Sequence, residues 1–399
     1  MSNSESQKAA RYTLTDFRFW RITSGLALGS FFIFAGLYSV QPLLPIFADE
    51  FHLAPAQSGL ILSVTVLSLA FGLVILGFYS DRVGRVRIIQ FSLLGTILPF
   101  VLIPLSHSFG LLLILRFLQG FAMAGLPACA GAYIAEEIKS EYVGFAMSLY
   151  IASNAVGGMV GRLLAGYAAE AYSWTFSFYF FAAAGLILFL INLFLLPKSR
   201  FFVPSNVSFS GDVKQFGLHF RNRELLPAFF WGMVLQIAFT GVWTYIPFYL
   251  QSPYFSLSIR NLSNFYIAYV FGIVGAPLGG YLAGKLGQKR ILAAGVLILL
   301  IGIWLSATHS LVFIGMALSL LCLGFFIAHS MAAAFVSQQA RDHKGSASGL
   351  YLVFYYFGVA IGGSVLGLVW TQYGWTGIVW AASLSPVCFG LFWMKRQMS

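Results

Sequence analysis

Long apolar runs separated by short polar or basic segments make up most of this chain. A helix needs roughly 20 apolar residues to cross the hydrocarbon core of a membrane, and twelve runs meet that length. We number them spans 1–12; they cover about residues 22–47, 57–79, 88–106, 109–135, 143–168, 175–196, 226–250, 262–284, 291–308, 311–336, 346–370 and 375–394. The runs do not alternate apolar and polar positions as barrel strands do, so they predict an all-α membrane protein.

The composition excludes several classes of protein. Hydrophobic residues make up 59% of the 399 positions and charged residues only 9%, whereas soluble domains carry about a quarter charged residues. Disordered chains and ordinary soluble enzymes are therefore excluded. The three cysteines, at positions 129, 322 and 388, lie in apolar runs without paired spacing. They predict neither a disulfide framework nor a metal site, and we expect no cofactor.

The positive charges set the orientation. If the N-terminus is cytoplasmic, 20 of the 23 Lys and Arg residues fall in cytoplasmic segments and only Arg260 falls outside. This bias is the usual signature of membrane topology. It predicts a multi-pass membrane protein with both termini in the cytoplasm. It also explains the net charge of +11 without nucleic acid as a partner.

The two halves of the chain resemble each other. The segment 77–87 aligns with 280–290, and Gly144, Tyr150 and Trp174 align with Gly345, Tyr351 and Trp375 at nearly the same offset. Each half has six spans, so the copies share one orientation. We predict two pseudo-symmetric six-helix bundles. The predicted divisions are a cytoplasmic tail (1–21), the first bundle (22–196), a cytoplasmic linker (197–225), the second bundle (226–394) and a cytoplasmic C-terminus (395–399).

The turn between spans 2 and 3 reads GFYSDRVGRVR and combines glycines with opposite charges. Its candidate functional residues are Gly77, Asp81, Arg82, Gly84 and Arg85. Gly84 permits a tight turn, and the arginines can pair with Asp81 or with carboxylates of adjacent helices. Such a cluster could latch one conformation and break in another. The alternative is a basic loop that only fixes topology.

At these residues the chain resembles the major facilitator superfamily, whose signature between spans 2 and 3 has the pattern G-x-x-x-D-R-x-G-R. Leu112, Arg116, Gln119 and Gly120 in span 4 are similar to a second motif of the family. The resemblance covers all twelve spans and implies a transporter of the drug:proton antiporter type in the bacterial inner membrane. Two segments depart from it. The repeat of the turn has Gly284 where the first has Asp81, and span 5 has Ser153 and Asn154 where the antiporter motif has glycine and proline.

Arg116 and Arg162 lie inside spans 4 and 5, where a charge is costly and by default functional. We predict that they bind an anionic substrate or sense the proton cycle. The alternative is that each side chain extends outward to water or pairs with Asp49, Glu50 or Glu170, the nearest outer carboxylates. The predicted spans themselves contain no Asp or Glu.

Other polar and aromatic side chains within the spans are candidates for the substrate cavity or for proton coupling. His329 in span 10 can titrate near neutral pH, although a lone buried histidine also serves in packing. The remaining candidates are Tyr38, Gln41, Asn154, Gln236, Trp243, Tyr351 and Tyr355. Ordinary interior packing is the alternative for each of them.

Closely spaced glycines mark spans 5 and 11: Gly157, Gly158, Gly161, Gly358, Gly362 and Gly363. Such helix faces allow close packing. In the resembling family these spans face the other bundle, so the glycines could let the bundles rock. A static packing seam is the alternative.

Together these features predict a secondary active transporter that moves a small solute by alternating access, with export coupled to protons. Uptake or exchange of an organic anion or a sugar is the alternative. We predict a monomer with substrate, protons and membrane lipid as partners. An enzyme would need a catalytic constellation and a receptor would need a signalling domain, and the sequence offers neither.

Overall fold

The computed structural model describes residues 11–204, 222, 224–339 and 344–398. Within these ranges the secondary structure is helical apart from a single bridge between Tyr12 and Ile138. The α-helices are Phe17–Tyr38, Leu44–Glu50, Pro55–Ser58, Leu60–Val83, Arg85–Leu102, Phe109–Met123, Gly125–Glu137, Ser140–Ala171, Trp174–Leu195, Leu226–Gln251, Ile259–Ser263, Tyr269–Leu286, Gln288–Leu305, Leu311–Gln339 and Lys344–Met398, and 3-10 turns occupy Gln41–Leu43, Ile103–Leu105 and Asn264–Ala268.

The described residues contain eleven helical stretches long and apolar enough to cross a membrane. The last of them, Ala347–Trp393, has 47 residues, which at 1.5 Å per residue is about twice the thickness of the hydrocarbon core. Gly374 breaks it, because its backbone adopts φ 58° and ψ −147°. This glycine separates span 11 from span 12, so the fold agrees with the predicted twelve spans.

Some helices differ from their predicted bounds. Span 1 bends after Tyr38, where a 3-10 turn containing Pro42 leads into a short helix; proline removes a backbone donor at such a bend. Span 4 reaches Glu137 rather than 135, so the expectation that spans contain no carboxylate is wrong at this end. Glu137 is fully buried, and its Oε1 accepts hydrogen bonds from the backbone N–H groups of Arg200 and Phe201.

The two halves have separate cores and equivalent helix contacts. One hydrophobic cluster consists mainly of residues from spans 1–6 and the other of residues from spans 7–12. Span 1 packs along span 5 and span 7 along span 11; span 2 packs on span 4 and span 8 on span 10. The repeat seen in the sequence is therefore a repeat of packing, as the predicted pseudo-symmetry requires.

The halves meet at the end of the molecule that the charge distribution assigns to the outside. Ser63 Oγ donates to Ala360 O at 3.0 Å, and Tyr167 Oη donates to Asn264 Oδ1 at 2.6 Å. At the opposite end, a cavity of about 480 Å³ separates span 11 from spans 2 and 4. The molecule is thus closed on the predicted outer side and open on the predicted cytoplasmic side.

Candidate functional site

Arg162 occupies the junction of the two halves. The residue is only 2% exposed, and its guanidinium lies beneath the outer contacts. Nε donates to Gln41 Oε1 at 2.6 Å, and Nη1 donates to Gly158 O at 2.7 Å. These bonds come from residues of the same half. They hold the guanidinium plane in place. The third nitrogen, Nη2, takes part in neither of these two hydrogen bonds.

Residues of the second half complete the surroundings of Arg162. The guanidinium carbon lies 4.1 Å from the ring centroid of Tyr38, 4.5 Å from that of Tyr269 and 5.3 Å from that of Tyr266. Gln41 also donates from Nε2 to Thr244 Oγ1 at 3.3 Å. A hydrogen-bond chain therefore runs from Arg162 through Gln41 into span 7, and aromatic faces from both halves enclose the cation.

Arg116 is held inside the first half. It is fully buried, and its guanidinium donates to Leu37 O at 3.1 Å and to Gln119 Oε1. Gln119 in turn donates to Thr96 O at 2.9 Å. This network links spans 1, 3 and 4. The geometry gives Arg116 a role in bundle packing and does not bring it to the junction.

The alternative in which the two arginines extend to water or pair with outer carboxylates is wrong. Arg116 and Arg162 are both buried, and no ion pair joins either of them to an Asp or Glu among the described residues. Asp49 and Glu50 are exposed. The Glu170 carboxylate instead accepts a hydrogen bond from the backbone N–H of Arg260 at 2.7 Å.

His329 lies in an aromatic surrounding below Arg162. Its Nδ1 is 2.7 Å from Tyr351 Oη. Its ring stacks on Phe325 and also contacts Tyr355, with centroids 5.5 and 4.9 Å apart. The sequence predicted His329, Tyr351 and Tyr355 separately, and the fold places them together on spans 10 and 11. Tyr355 also lies close to Tyr38, whose ring packs on the guanidinium of Arg162, so this group reaches the junction.

The remaining predicted cavity residues divide into two groups. Asn154 is half-buried and accepts a hydrogen bond from Ser30, which ties span 5 to span 1. Gln236 is buried and accepts from Thr240 within span 7. Trp243 is fully buried and stacks on Tyr266 with 4.8 Å between ring centroids. Gln236 and Trp243 thus pack inside the second half, and Trp243 supports a tyrosine of the Arg162 site.

The residues of the predicted latch lie together at the open end. Arg85 pairs with Asp81 and with Glu136, whose Oε1 is 2.8 Å from Nη2. Gly84 has φ 109°, a value that non-glycine residues rarely adopt. Gly77, Asp81 and Arg85 line the cavity of about 480 Å³, and Ser348 of span 11 lines its other side. Arg82 donates to Phe78 O.

The glycines of spans 5 and 11 form two kinds of contact. A side chain added at Gly157 or Gly161 would meet the backbone of span 1, and one added at Gly358 or Gly362 would meet the backbone of span 7. These four positions pack within their own half, which favours the static seam over rocking. Gly158 instead lies next to Arg162, and Gly363 faces Ser63 across the junction.

Sequence reasoning missed several residues that this geometry brings to the site. Tyr266, Tyr269 and Thr244 surround Arg162 and Gln41 from the second half, and Glu136 completes the latch. Tyr266 lies in a 3-10 turn and Tyr269 at the start of the helix that follows it, and nothing in the sequence marks either as a partner of Arg162. Glu136 was missed because the predicted span ended one residue before it.

Gly59 provides a test of the outer closure. A side chain at this position would overlap Gly363 O of the other half, so Gly59→Val should prevent the outer ends from closing. We expect a cysteine introduced at position 63 to become several-fold more reactive toward a membrane-impermeant thiol reagent added from outside. Gly110→Val is the matched control, because a side chain at Gly110 meets nothing within 4 Å. Equal reactivity in both variants would contradict the assignment of this contact as a closed gate.

Comparison with known proteins defines the family. The Major Facilitator Superfamily sequence model matches residues 26–363 and 255–397. The chain belongs to the major facilitator superfamily. An uncharacterized transporter of this superfamily from Bacillus subtilis, YybF, is 34% identical over 90% of this chain and 89% of its own. The inner membrane transport protein YnfM of Escherichia coli is 33% identical over 90% of this chain and 87% of its own.

A solved structure gives the same fold. The structure of a bacterial homologue of the human lysosomal transporter Spinster, in an inward-facing conformation, superposes with a TM-score of 0.77 at 16% identity. The match covers 95% of this chain and 95% of the homologue. The protein is therefore a multi-pass membrane transporter of the major facilitator superfamily and not an enzyme. In the part of the chain that the structure describes, no three His, Cys, Asp or Glu side chains converge as metal ligands would.

Proposed function

We propose that this major facilitator protein is a secondary active transporter that exports a small solute in exchange for protons. The observation that supports alternating access is the asymmetry of the junction: Arg162, Gln41 and Thr244 link the halves beneath a closed outer end, while a cavity separates them at the other end. A solute entering from the open side would reach Arg162 and the aromatic side chains around it. We propose that bundles 22–196 and 226–394 move against each other, joined by linker 197–225.

The proposed setting is the bacterial inner membrane, with both termini in the cytoplasm and the protein acting as a monomer. Proton coupling is supported by His329, a titratable side chain of span 10 that hydrogen-bonds Tyr351 of span 11 within the second half. Uptake or exchange is the second candidate.

Transport into proteoliposomes tests this proposal. The purified protein is reconstituted with a pH-sensitive dye inside, a pH gradient is imposed in either direction, and organic acids, sugars and organic cations are added one at a time. Solute-dependent proton flow opposite to the solute supports exchange, and flow in the same direction supports uptake. If no solute moves protons and no pH gradient drives accumulation, the proposal of proton coupling is wrong.

His329→Gln tests the proton-carrying group. Glutamine keeps a hydrogen-bonding side chain beside Tyr351 but does not titrate, so accumulation driven by a pH gradient should fall at least tenfold. Exchange of labelled for unlabelled solute, which needs no net proton movement, should change less than threefold. His309→Gln is the control, because His309 lies near the end of span 9, where it contacts Tyr254. Unchanged gradient-driven accumulation in His329→Gln would remove this histidine from the coupling.

A further inference from the structure

We infer that Arg162 anchors the carboxylate of a planar organic acid, and that this acid class is the transported substrate. The inference rests on the proposed transport function and adds the chemical class of the solute. Three features of the site carry it: an unneutralised buried cation, two tyrosine hydroxyls without partners, and an aromatic wall leading to the open side.

The first feature is the charge itself. A guanidinium stays protonated in proteins, and burying an ion without a counter-ion is strongly destabilising. The carbonyl and amide oxygens of Gly158 and Gln41 carry only partial charges, and among the described residues no carboxylate pairs with Arg162. Because Nη2 takes part in neither hydrogen bond, an incoming carboxylate has donor hydrogens available to it.

The second feature is a pair of orphaned hydroxyls. Tyr266 is 1% exposed and Tyr269 is 5% exposed, yet the hydroxyl of each is buried without a hydrogen-bond partner. Buried polar groups are almost always hydrogen-bonded, and an unpaired one is destabilising. Both rings pack against the guanidinium of Arg162. Hydroxyls with this surrounding can donate to an anion that pairs with the cation, and a carboxylate has enough acceptor sites for all of these donors.

The third feature is a wall of aromatic rings between Arg162 and the open end. Tyr269 contacts Phe326, Phe326 contacts Phe325, and Phe325 stacks on His329, with centroids 6.2, 5.4 and 5.5 Å apart. Tyr355 contacts His329 and lies close to Tyr38, whose ring packs on Arg162. We define the aromatic wall as Tyr38, Phe325, Phe326, His329 and Tyr355. Four of its members are only partly buried; these are Tyr38, Phe326, His329 and Tyr355.

Flat faces and ring edges favour a planar solute body over a bulky saturated one, because stacked and edge-to-face contacts need a π-system. A sugar would offer hydroxyls but would leave the guanidinium charge uncompensated. An organic cation would find favourable ring faces but would be repelled by the buried guanidinium. The combination of a cation at the closed end and rings along the path therefore selects an aromatic or conjugated carboxylate.

Four matched probes test this class with the purified full-length protein. Benzoate has both features; cyclohexanecarboxylate keeps the charge without the ring; benzamide keeps the ring without the charge; and phenyltrimethylammonium reverses the charge. Binding is measured by the quenching of tryptophan fluorescence and by thermal stabilisation. We expect benzoate to bind at least tenfold more tightly than benzamide and severalfold more tightly than cyclohexanecarboxylate, with no binding of the cation.

Variants separate recognition from folding. Arg162→Gln should weaken benzoate binding roughly tenfold to a hundredfold, as expected for loss of charge-assisted hydrogen bonds, and change benzamide binding less than threefold. The double variant Tyr266→Phe and Tyr269→Phe removes only the hydroxyls and should weaken benzoate severalfold. Arg260→Gln is the matched control, since Arg260 is exposed on the outer side against Tyr167. Should Arg162→Gln not fold, the double variant still decides, because it keeps the aromatic rings.

The outcomes distinguish this inference from the proposed function. Preferred binding of the cation, or benzoate binding that is the same in Arg162→Gln and Arg260→Gln, would overturn the acid class. Proton-coupled transport of a cation or sugar in the liposome assay would then leave the transport function standing. Equal binding of benzoate and cyclohexanecarboxylate would overturn the planar requirement. Absence of any gradient-driven transport would instead contradict the proposed function.

Discussion

Asp81→Asn is expected to reduce transport at least tenfold while the protein still reaches the membrane and folds. In the open conformation the Asp81 carboxylate pairs with Arg85, which Glu136 also holds. Asparagine keeps the shape of the side chain and removes its charge. Because the Arg85–Glu136 pair remains, the open conformation should persist in the variant.

The expected loss comes from the other conformation. Asp81 lines the cavity that faces the beginning of span 11, and this helix begins at Lys344. When the cavity closes, the carboxylate would approach a helix N-terminus, where a negative charge is favourable by roughly 0.3–1 kcal/mol and by up to about 2 kcal/mol when partly buried. The upper value of about 2 kcal/mol changes a conformational equilibrium about 30-fold, because every 1.4 kcal/mol is a factor of ten. The variant should therefore remain open to the cytoplasm.

The measurement combines transport with an accessibility assay. A cysteine introduced at position 348, on the span 11 side of the cavity, should be labelled faster in Asp81→Asn than in the parent protein. Glu141→Gln is the control, because the Glu141 side chain is 61% exposed and only pairs with Lys139 at the surface; such pairs contribute little. Normal transport by Asp81→Asn would reduce the GFYSDRVGR turn to a topology signal.

The fold could be predicted from the sequence because membrane burial imposes a simple pattern. Apolar length gives the spans, and the basic segments give a consistent orientation. Local backbone chemistry was harder to predict. The bend after Tyr38 and the break at Ala124 in span 4 divide runs that are each apolar enough to be taken as one span, so mean hydropathy alone does not locate them. Gly374 was predictable only as a turn between spans 11 and 12.

The site could be predicted in part. Charged residues stand out in apolar spans, so Arg116 and Arg162 were found, but sequence cannot say which face of a helix they occupy. Half a turn of helix, about two residues, separates a side chain that faces the junction from one that faces the inside of a bundle. This is why Arg116, bonded to Leu37 O, and Arg162, beside Tyr269, looked equivalent. The partners from span 8 were missed because tyrosines are common in membrane helices and their pairing with Arg162 is entirely non-local.

The packing glycines give the second large effect, on stability. Gly161→Ala should destabilise the protein by about 1–3 kcal/mol, the usual cost of overpacking a close-packed interior. The added methyl group would overlap the backbone of Ala35 in span 1, and backbone cannot move aside as a flexible side chain can. Alanine is otherwise the better helix former, so the sign of the effect depends on this contact alone.

Gly144→Ala is the matched control on the same helix. Gly144 also lies within Ser140–Ala171, but a side chain there meets nothing within 4 Å. Removing a glycine from a helix interior at an open position is stabilising by roughly 0.5–1 kcal/mol. Thermal unfolding in detergent should therefore shift in opposite directions for the two variants, by several degrees in total.

The same pair of variants decides between a static seam and a moving contact. In a static seam, Gly161→Ala lowers the unfolding temperature, and the protein that remains folded transports at a rate close to that of the parent. If spans 1 and 5 instead slide during the cycle, the variant would lose transport at an unchanged unfolding temperature. The structure favours the first result, because spans 1 and 5 belong to one half and share one hydrophobic core. The motion then lies between the halves, at Gly59, Ser63 and Gly363, and not within either bundle.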